Sequence, residues 1–147
     1  MSTPRRLLLD VNVWIALLDD SHPHSQNAQR FMSALPAIAT CPLTENGVLR
    51  ILNLPGYSRR IGPVGFERVR SKLHEIYALL DHQFWPDDLS LVTDEVLDFT
   101  RISGHNQITD AYLLALAVKH GGALASFDQR IALSAVRGAT AEHLLLL

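Results

Sequence analysis

Short apolar runs alternate with helix-period stretches along the whole chain, and that alternation admits few folds other than a parallel sheet covered by helices. Leu7-Leu8-Leu9 is an unbroken apolar triplet, as expected for a strand buried on both faces, and it runs directly into Asp10. Helices are expected over Val13–Leu18 and His22–Leu35, the second carrying Ala28, Phe31, Met32 and Leu35 on one face and stopped by Pro36. Ala37–Thr40 reads as a second strand, and Pro42 suits the first turn of a helix to about Leu52. Gly62–His82 is again helical in period, with Phe66, Val69, Leu73, Ile76, Leu79 and Leu80 as its stripe.

Beyond it, Phe84-Trp85 and Leu89–Val92 read as short extended pieces and Asp94–Ile102 as a short helix. Thr109 is placed as the N-cap of an apolar helix, Asp110–His120, closed by Gly121-Gly122. Ala123–Phe127 and Glu142–Leu147 complete the strands. The expected architecture is a three-layer α/β/α domain spanning residues 1–147, with a mostly parallel sheet of about five strands.

Several chemistries are excluded. Neither a phosphate-binding G-x-x-x-x-G-K-[ST] loop nor a G-x-G-x-x-G dinucleotide fingerprint occurs, and no G-x-S-x-G nucleophile elbow. Cys41 is the only cysteine, which rules out an internal disulfide or a zinc ribbon and leaves a buried, inert thiol. His22 and His24 fall at a polar helix start, where a solvated or capping role is the expectation. The longest apolar stretch, Ala111–Val118, is far short of the roughly 18–20 residues that span a bilayer. The opening residues read as no export signal, because Asp10 and Asn12 interrupt the apolar run; a cytoplasmic location is expected.

Four carboxylates fall where this reading puts one edge of the sheet: Asp10 after the first strand, Glu45 early in the helix after the second, Asp110 opening the apolar helix, and Asp128 after Ala123–Phe127. Ligand sites in open parallel sheets assemble at the carboxyl ends of the strands, so three or four of these acids can converge there. Glu45 shares a helix face with Val48, Leu49 and Leu52, and a carboxylate turned toward a core needs a partner from elsewhere in the chain. Taken singly, each aspartate has another reading: Asp10 as a helix cap, Asp110 as an anion at a helix N-terminus, Asp128 as an Asx turn. Jointly, with Asn12 and the Thr109 hydroxyl as neutral oxygens, they suit Mg²⁺ or Mn²⁺, and hence phosphoryl chemistry on a polyanion.

In their order and neighbours, Leu7-Leu-Leu-Asp10-Val-Asn12-Val-Trp14, Thr44-Glu45-Asn46, Gly104 to Ala117 with Thr109-Asp110 at its centre, and Ala125-Ser-Phe-Asp128 resemble the four acidic motifs of PIN-domain ribonucleases, and most closely the VapC toxins of type II toxin–antitoxin systems. The resemblance implies a PIN-like fold and a Mg²⁺- or Mn²⁺-dependent endoribonuclease. It makes Asp10, Glu45, Asp110 and Asp128 the catalytic quartet, with Asp10 and Asp110 the first choices as direct metal ligands and Glu45 and Asp128 second or acting through water. Asn12 and Thr109 match accessory polar positions. A homodimer held inactive by a VapB-type antitoxin is implied as well. A catalytically silent PIN-like module that binds RNA or protein is the alternative, and a haloacid-dehalogenase-like phosphatase is disfavoured by Asn12, where that family has a second Asp.

An RNA substrate must be held by its phosphates. Arg59, Arg60, Arg68, Arg70 and Lys72, with Glu67 the single acid among them, form the candidate RNA-binding stretch, and a solvated helix face is the competing reading. Trp14 and Trp85 are assigned to the core or to a dimer contact. The formal charge of −2 does not oppose such a substrate, since without the four site acids the balance is 13 basic to 11 acidic residues.

Overall fold

The computed structural model describes residues 5–57 and 64–147. Five strands, β1 (Leu7–Leu9), β2 (Ile38–Thr40), β3 (His82–Phe84), β4 (Ala123–Ser126) and β5 (Leu144–Leu146), form one sheet in the order β3-β2-β1-β4-β5. Every pairing is parallel. Five α-helices accompany it among the described residues: α1 (Val11–Leu18), α2 (Ser25–Ser33), α3 (Pro42–Ile51), α4 (Phe66–Leu79) and α5 (Ile108–Lys119). None is long and apolar enough to cross a membrane.

The period-2 alternation of the strands explains the three layers. Leu8, Ala39 and Leu124 point to one face and pack with α5, Trp85, Leu97 and Val136. Leu9, Ile38 and Ala125 point to the other and pack with α1, α3 and α4, where Trp14, Val48, Val69 and Leu73 are buried. Both tryptophans are therefore core residues of this chain, 1% and 4% exposed for Trp14 and Trp85. Helix α5 is apolar around its whole circumference, with Ala111 through Ala117 all buried, because irregular segments carrying Leu89, Leu91, Val96, Ile102, Ile131 and Leu133 cover its outer side.

Several boundaries differ from the sequence expectation. The Leu89–Val92 strand and the Asp94–Ile102 helix do not form; turns, an isolated bridge between Leu97 and Val136, and a 3₁₀ turn at Phe99–Arg101 take their place, as suits a cover over α5. Leu35 leaves the α2 face altogether: it sits before Pro36, which bars the helical region, and takes φ 52° with its side chain exposed. On α4, Val69 and Leu73 are buried while Phe66 and Leu79 are exposed, so the packed face is narrower than the expected stripe. The expected start of that helix, 62–63, lies outside the described residues, and α4 begins after Gly65 at φ 99°. Thr109 is not a cap. A 3₁₀ turn at His105–Gln107 leads straight into α5, so Gln107 already has helical backbone and Thr109 lies exposed in the first turn.

Candidate active site

The chain passes from β1 to β2 on one side and later returns to place β4 on the other side of β1. The carboxyl ends of β1 and β4 thus flank the point where the strand order reverses, the position at which parallel α/β sheets form a ligand crevice. Asp10 ends β1 and Asp128 follows β4, so both acids arrive at this crevice through the register that sets Leu9 opposite Ala125.

Asp10 is 5% exposed. It precedes α1 yet makes no side-chain cap bond; its Oδ2 instead accepts from the buried Ser126 hydroxyl at 2.8 Å. The same Ser126 oxygen accepts the Asp128 backbone N–H at 3.0 Å, so one side chain positions two of the acids. Burial raises the Asp10 pKa above the usual carboxylate range, against the Ser126 bond, and the Asp128 charge pushes the same way.

Asp110, in the first turn of α5, is pushed up to about 6 by burial and then by the charges of Asp10 and Asp128, with only the Arg130 charge pulling down. Asp128 is held low by Arg130, whose Nε lies 3.1 Å from Oδ1 and whose backbone N–H donates to the same oxygen at 2.9 Å. The Asx turn and the site acid are therefore the same residue. Asp110, Asp128 and Arg130 also line a cavity of about 90 Å³ with Ile102, Asn106 and Ile131.

Glu45 is not among the charges that raise Asp10 or Asp110. Its Oε2 accepts the Tyr77 hydroxyl of α4 at 2.9 Å, which supplies the partner its half-buried position demands. Tyr77 is itself fixed by stacking on His82 at 3.8 Å and by an edge contact to Trp14. Arg70 and His74 join Glu45 and Tyr77 around a shallow cavity of about 260 Å³. Arg68, Arg70 and Lys72 are exposed on α4; Arg70 lies 3.6 Å from Glu67 and shares the Glu45 cavity, while Arg68 and Lys72, two residues to either side, fall on another face of the helix. Arg59 and Arg60 lie outside the described residues.

Asn12 is exposed at the first turn of α1 and lines a separate open groove that also reaches Asp128. Cys41 is buried at the start of α3, where its backbone N–H donates to the Thr44 hydroxyl at 3.1 Å, and burial pushes its thiol up. Three hydrogen-bonding side chains escaped the sequence reading, two of them holding site acids and one a buried structural acid. Ser126 and Tyr77 look like ordinary strand and helix residues in one dimension, although Ser126 stands two residues from Asp128. Asp19, read as a plain loop acid, is buried and accepts from Ser21 and from the Tyr57 hydroxyl at 2.6 Å.

Among the described residues no group of three or more His, Cys, Asp and Glu side chains is drawn tightly enough to hold a metal ion by itself. The donor set nevertheless fits a hard divalent cation: three aspartates raise or oppose one another in a crevice, and magnesium needs only one or two direct carboxylates with water completing its shell.

Comparison with known proteins identifies the family and the fold. The profile of the PIN domain family matches residues 7–137. Ribonuclease VapC44 of Mycobacterium tuberculosis (strain ATCC 25618 / H37Rv) is 40% identical over 145 residues, covering 97% of this chain and 99% of that protein. Ribonuclease VapC39 of the same strain is 38% identical over 135 residues, 89% of this chain and 94% of the relative. Among solved structures, VapBC2 from Rickettsia felis bound to a DNA fragment of its promoter shares the fold, with a TM-score of 0.52 at 14% identity over 84% of this chain and 88% of that one.

Proposed function

The chain belongs to the PIN-domain family, and from that premise we propose that its aspartate crevice cleaves RNA phosphodiester bonds with the help of Mg²⁺ or Mn²⁺. The protein is an endoribonuclease of the VapC toxin kind. The observation that carries the metal-dependent reading is the crowding of Asp10, Asp110 and Asp128 at the strand-order switch point, where Asp110 is raised to about 6. Like charges brought together in a half-buried crevice cost stability, and a bound cation removes that cost.

Asp10 and Asp110 would hold the ion, with Glu45 and Asp128 acting at longer range or through water and Asn12 and Thr109 as accessory oxygens. A divalent ion there supplies an activated water and neutralises the charge that develops on the phosphate. The protein's own residues do the rest. Ser126 fixes an Asp10 oxygen and the Asp128 backbone, so one hydroxyl ties the Asp10 carboxylate to the chain that carries Asp128. The Arg130 guanidinium, 80% exposed in its side chain, lies on Asp128 and is free to reach a phosphate oxygen once that acid has another partner. Arg59, Arg60, Arg68, Arg70 and Lys72 would contact the RNA backbone along α4 and the segment before it.

A VapB-type antitoxin, which would cover the acidic crevice, is the partner this reading assigns, with a homodimer as the assembly and the cytoplasm as the location. Support for the partner comes from the VapC names of the relatives and from the shared fold of the VapBC2 complex. The test is cleavage of RNA by the purified chain with Mg²⁺ or Mn²⁺, beside Asp10→Asn and Asp110→Asn. Loss of cleavage in both variants is expected; equal activity in all three proteins would overturn the reading. Tight RNA binding without cleavage under any divalent metal would instead favour a silent RNA-binding module.

A further inference from the structure

Bordering Asp128 is a second, open groove of about 490 Å³, lined by Asn12, His22, His24, Phe127, Asp128 and Arg130. Its wall holds a stack of rings. His24 lies flat on Phe127, with centroids 4.4 Å apart and planes 13° apart, and His22 stands beside His24 at 5.8 Å. Nothing in α2 explains why the His24 ring is held there. His24 occupies the N-cap position of α2, but its side chain makes no cap hydrogen bond; His22 Nδ1 accepts the His24 backbone N–H at 3.0 Å instead. Phe127 is half-buried and packs against the core formed with α1, α3 and α4, while the His24 side chain laid on it is exposed, so the stack is anchored from below and open on its outer side.

Its location matters more than its composition. Phe127 is the residue between Ser126, which positions Asp10, and Asp128 itself. Asp128 and Arg130 are walls of both this groove and the cavity that contains Asp110. A strand crossing the aspartates with a phosphate at the crevice therefore has this groove within reach of an adjacent nucleotide. Rings held flat and exposed beside a phosphate-handling site suit a nucleobase, because every base has a π face and stacking needs no sequence match. The ring is already immobilised by Phe127, which lowers the entropic cost of forming the contact.

We propose that the His24–Phe127 stack is the platform for the base flanking the scissile phosphate of a single-stranded RNA segment. The proposal rests on the ribonuclease reading above and adds a base-binding subsite to it. Neither histidine caps α2: His22 accepts the His24 backbone N–H in the turn before the helix, and the exposed His24 ring is left on Phe127.

The experiment uses the full chain carrying Asp110→Asn, so that RNA is bound without being cut, and a fluorescein-labelled random single-stranded RNA 12-mer read by anisotropy. A second 12-mer containing 2-aminopurine reports stacking by quenching. Adding His24→Ala is expected to weaken binding roughly 5- to 150-fold, the range of base–aromatic stacking, and to abolish the quench. His24→Tyr is expected to restore both. Affinity within twofold of the parent for His24→Ala overturns the platform, as does a loss that tyrosine fails to rescue, which would indicate a hydrogen-bonding imidazole. If the wild-type chain cleaves RNA with Mn²⁺ while His24→Ala binds like its parent, the platform falls and the ribonuclease reading stands. If the wild type neither binds nor cleaves RNA, both fall.

Discussion

Asp110→Asn in the metal-free protein is expected to stabilise the fold at neutral pH while abolishing its activity. The Asp110 carboxyl rises from an ordinary value of 3.8 to about 6, first by burial and then by Asp10 and Asp128. A rise of about two units corresponds to about 3 kcal/mol that opposes folding once the group is charged, at about 1.4 kcal/mol per unit. The α5 N-terminus favours an anion by about 0.3–1 kcal/mol, which the amide forfeits, so the expected net gain is about 2 kcal/mol.

The sign follows from proton binding: the folded state holds this proton more tightly than the unfolded state, so the Asp110 contribution to stability falls as pH rises from about 4 through 6. The gain for asparagine is therefore full above pH 7 and absent below pH 4. In a chain of 147 residues, 2 kcal/mol corresponds to roughly 4–8 °C in Tm. Thermal or urea unfolding in EDTA at pH 7.5, 6 and 4 measures it, and added Mg²⁺ should raise the Tm of the wild type more than that of the variant. An Asp110→Asn protein no more stable than wild type at pH 7.5, or a difference that does not shrink on acidification, would refute the argument from crowded carboxylates.

Ser126→Ala should cost about 1–3 kcal/mol and reduce RNA cleavage, because it removes a fully buried hydroxyl that serves both Asp10 and the Asp128 N–H; urea unfolding and a cleavage assay check the two effects separately. Tyr77→Phe keeps the stack on His82 but withdraws the donor from Glu45, and a loss of about 1–2 kcal/mol in urea unfolding is expected, against no change if water replaces the hydroxyl freely. Gly122→Ala places a Cβ 2.5 Å from the Arg6 carbonyl oxygen and 2.7 Å from the Trp85 ring, so destabilisation of about 1–3 kcal/mol should appear as a lowered Tm; an unchanged Tm would show that the β1–β4 edge relaxes at little cost.

Local pattern carried much of this structure. Leu7-Leu8-Leu9, Ile38–Thr40 and Ala123–Ser126 are apolar enough to be read as strands buried on both faces, and the helix-period stretches between them require parallel connections. Once the sheet is parallel, residues that follow its strands share one edge, so Asp10 and Asp128 could be placed together from sequence alone. The four acidic motifs in order carried the family as well. Segments 86–104 and 131–139 were less legible, since they cover α5 with scattered apolar residues and have no period of their own.

Tertiary structure decided which acids act on one another. Ser126 reaches Asp10 across 116 positions of sequence, a contact set by the β1–β4 register, and Asp110 is raised by Asp10 and Asp128 while Glu45 turns to Tyr77. Periodicity reports which face of its own element a side chain occupies; it carries no information about what stands opposite. Hydrogen bonds and half-buried charges act over a few ångströms, so the Ser126 bridge, the Tyr77 donor and the His24–Phe127 stack become visible only when the strands and helices are assembled.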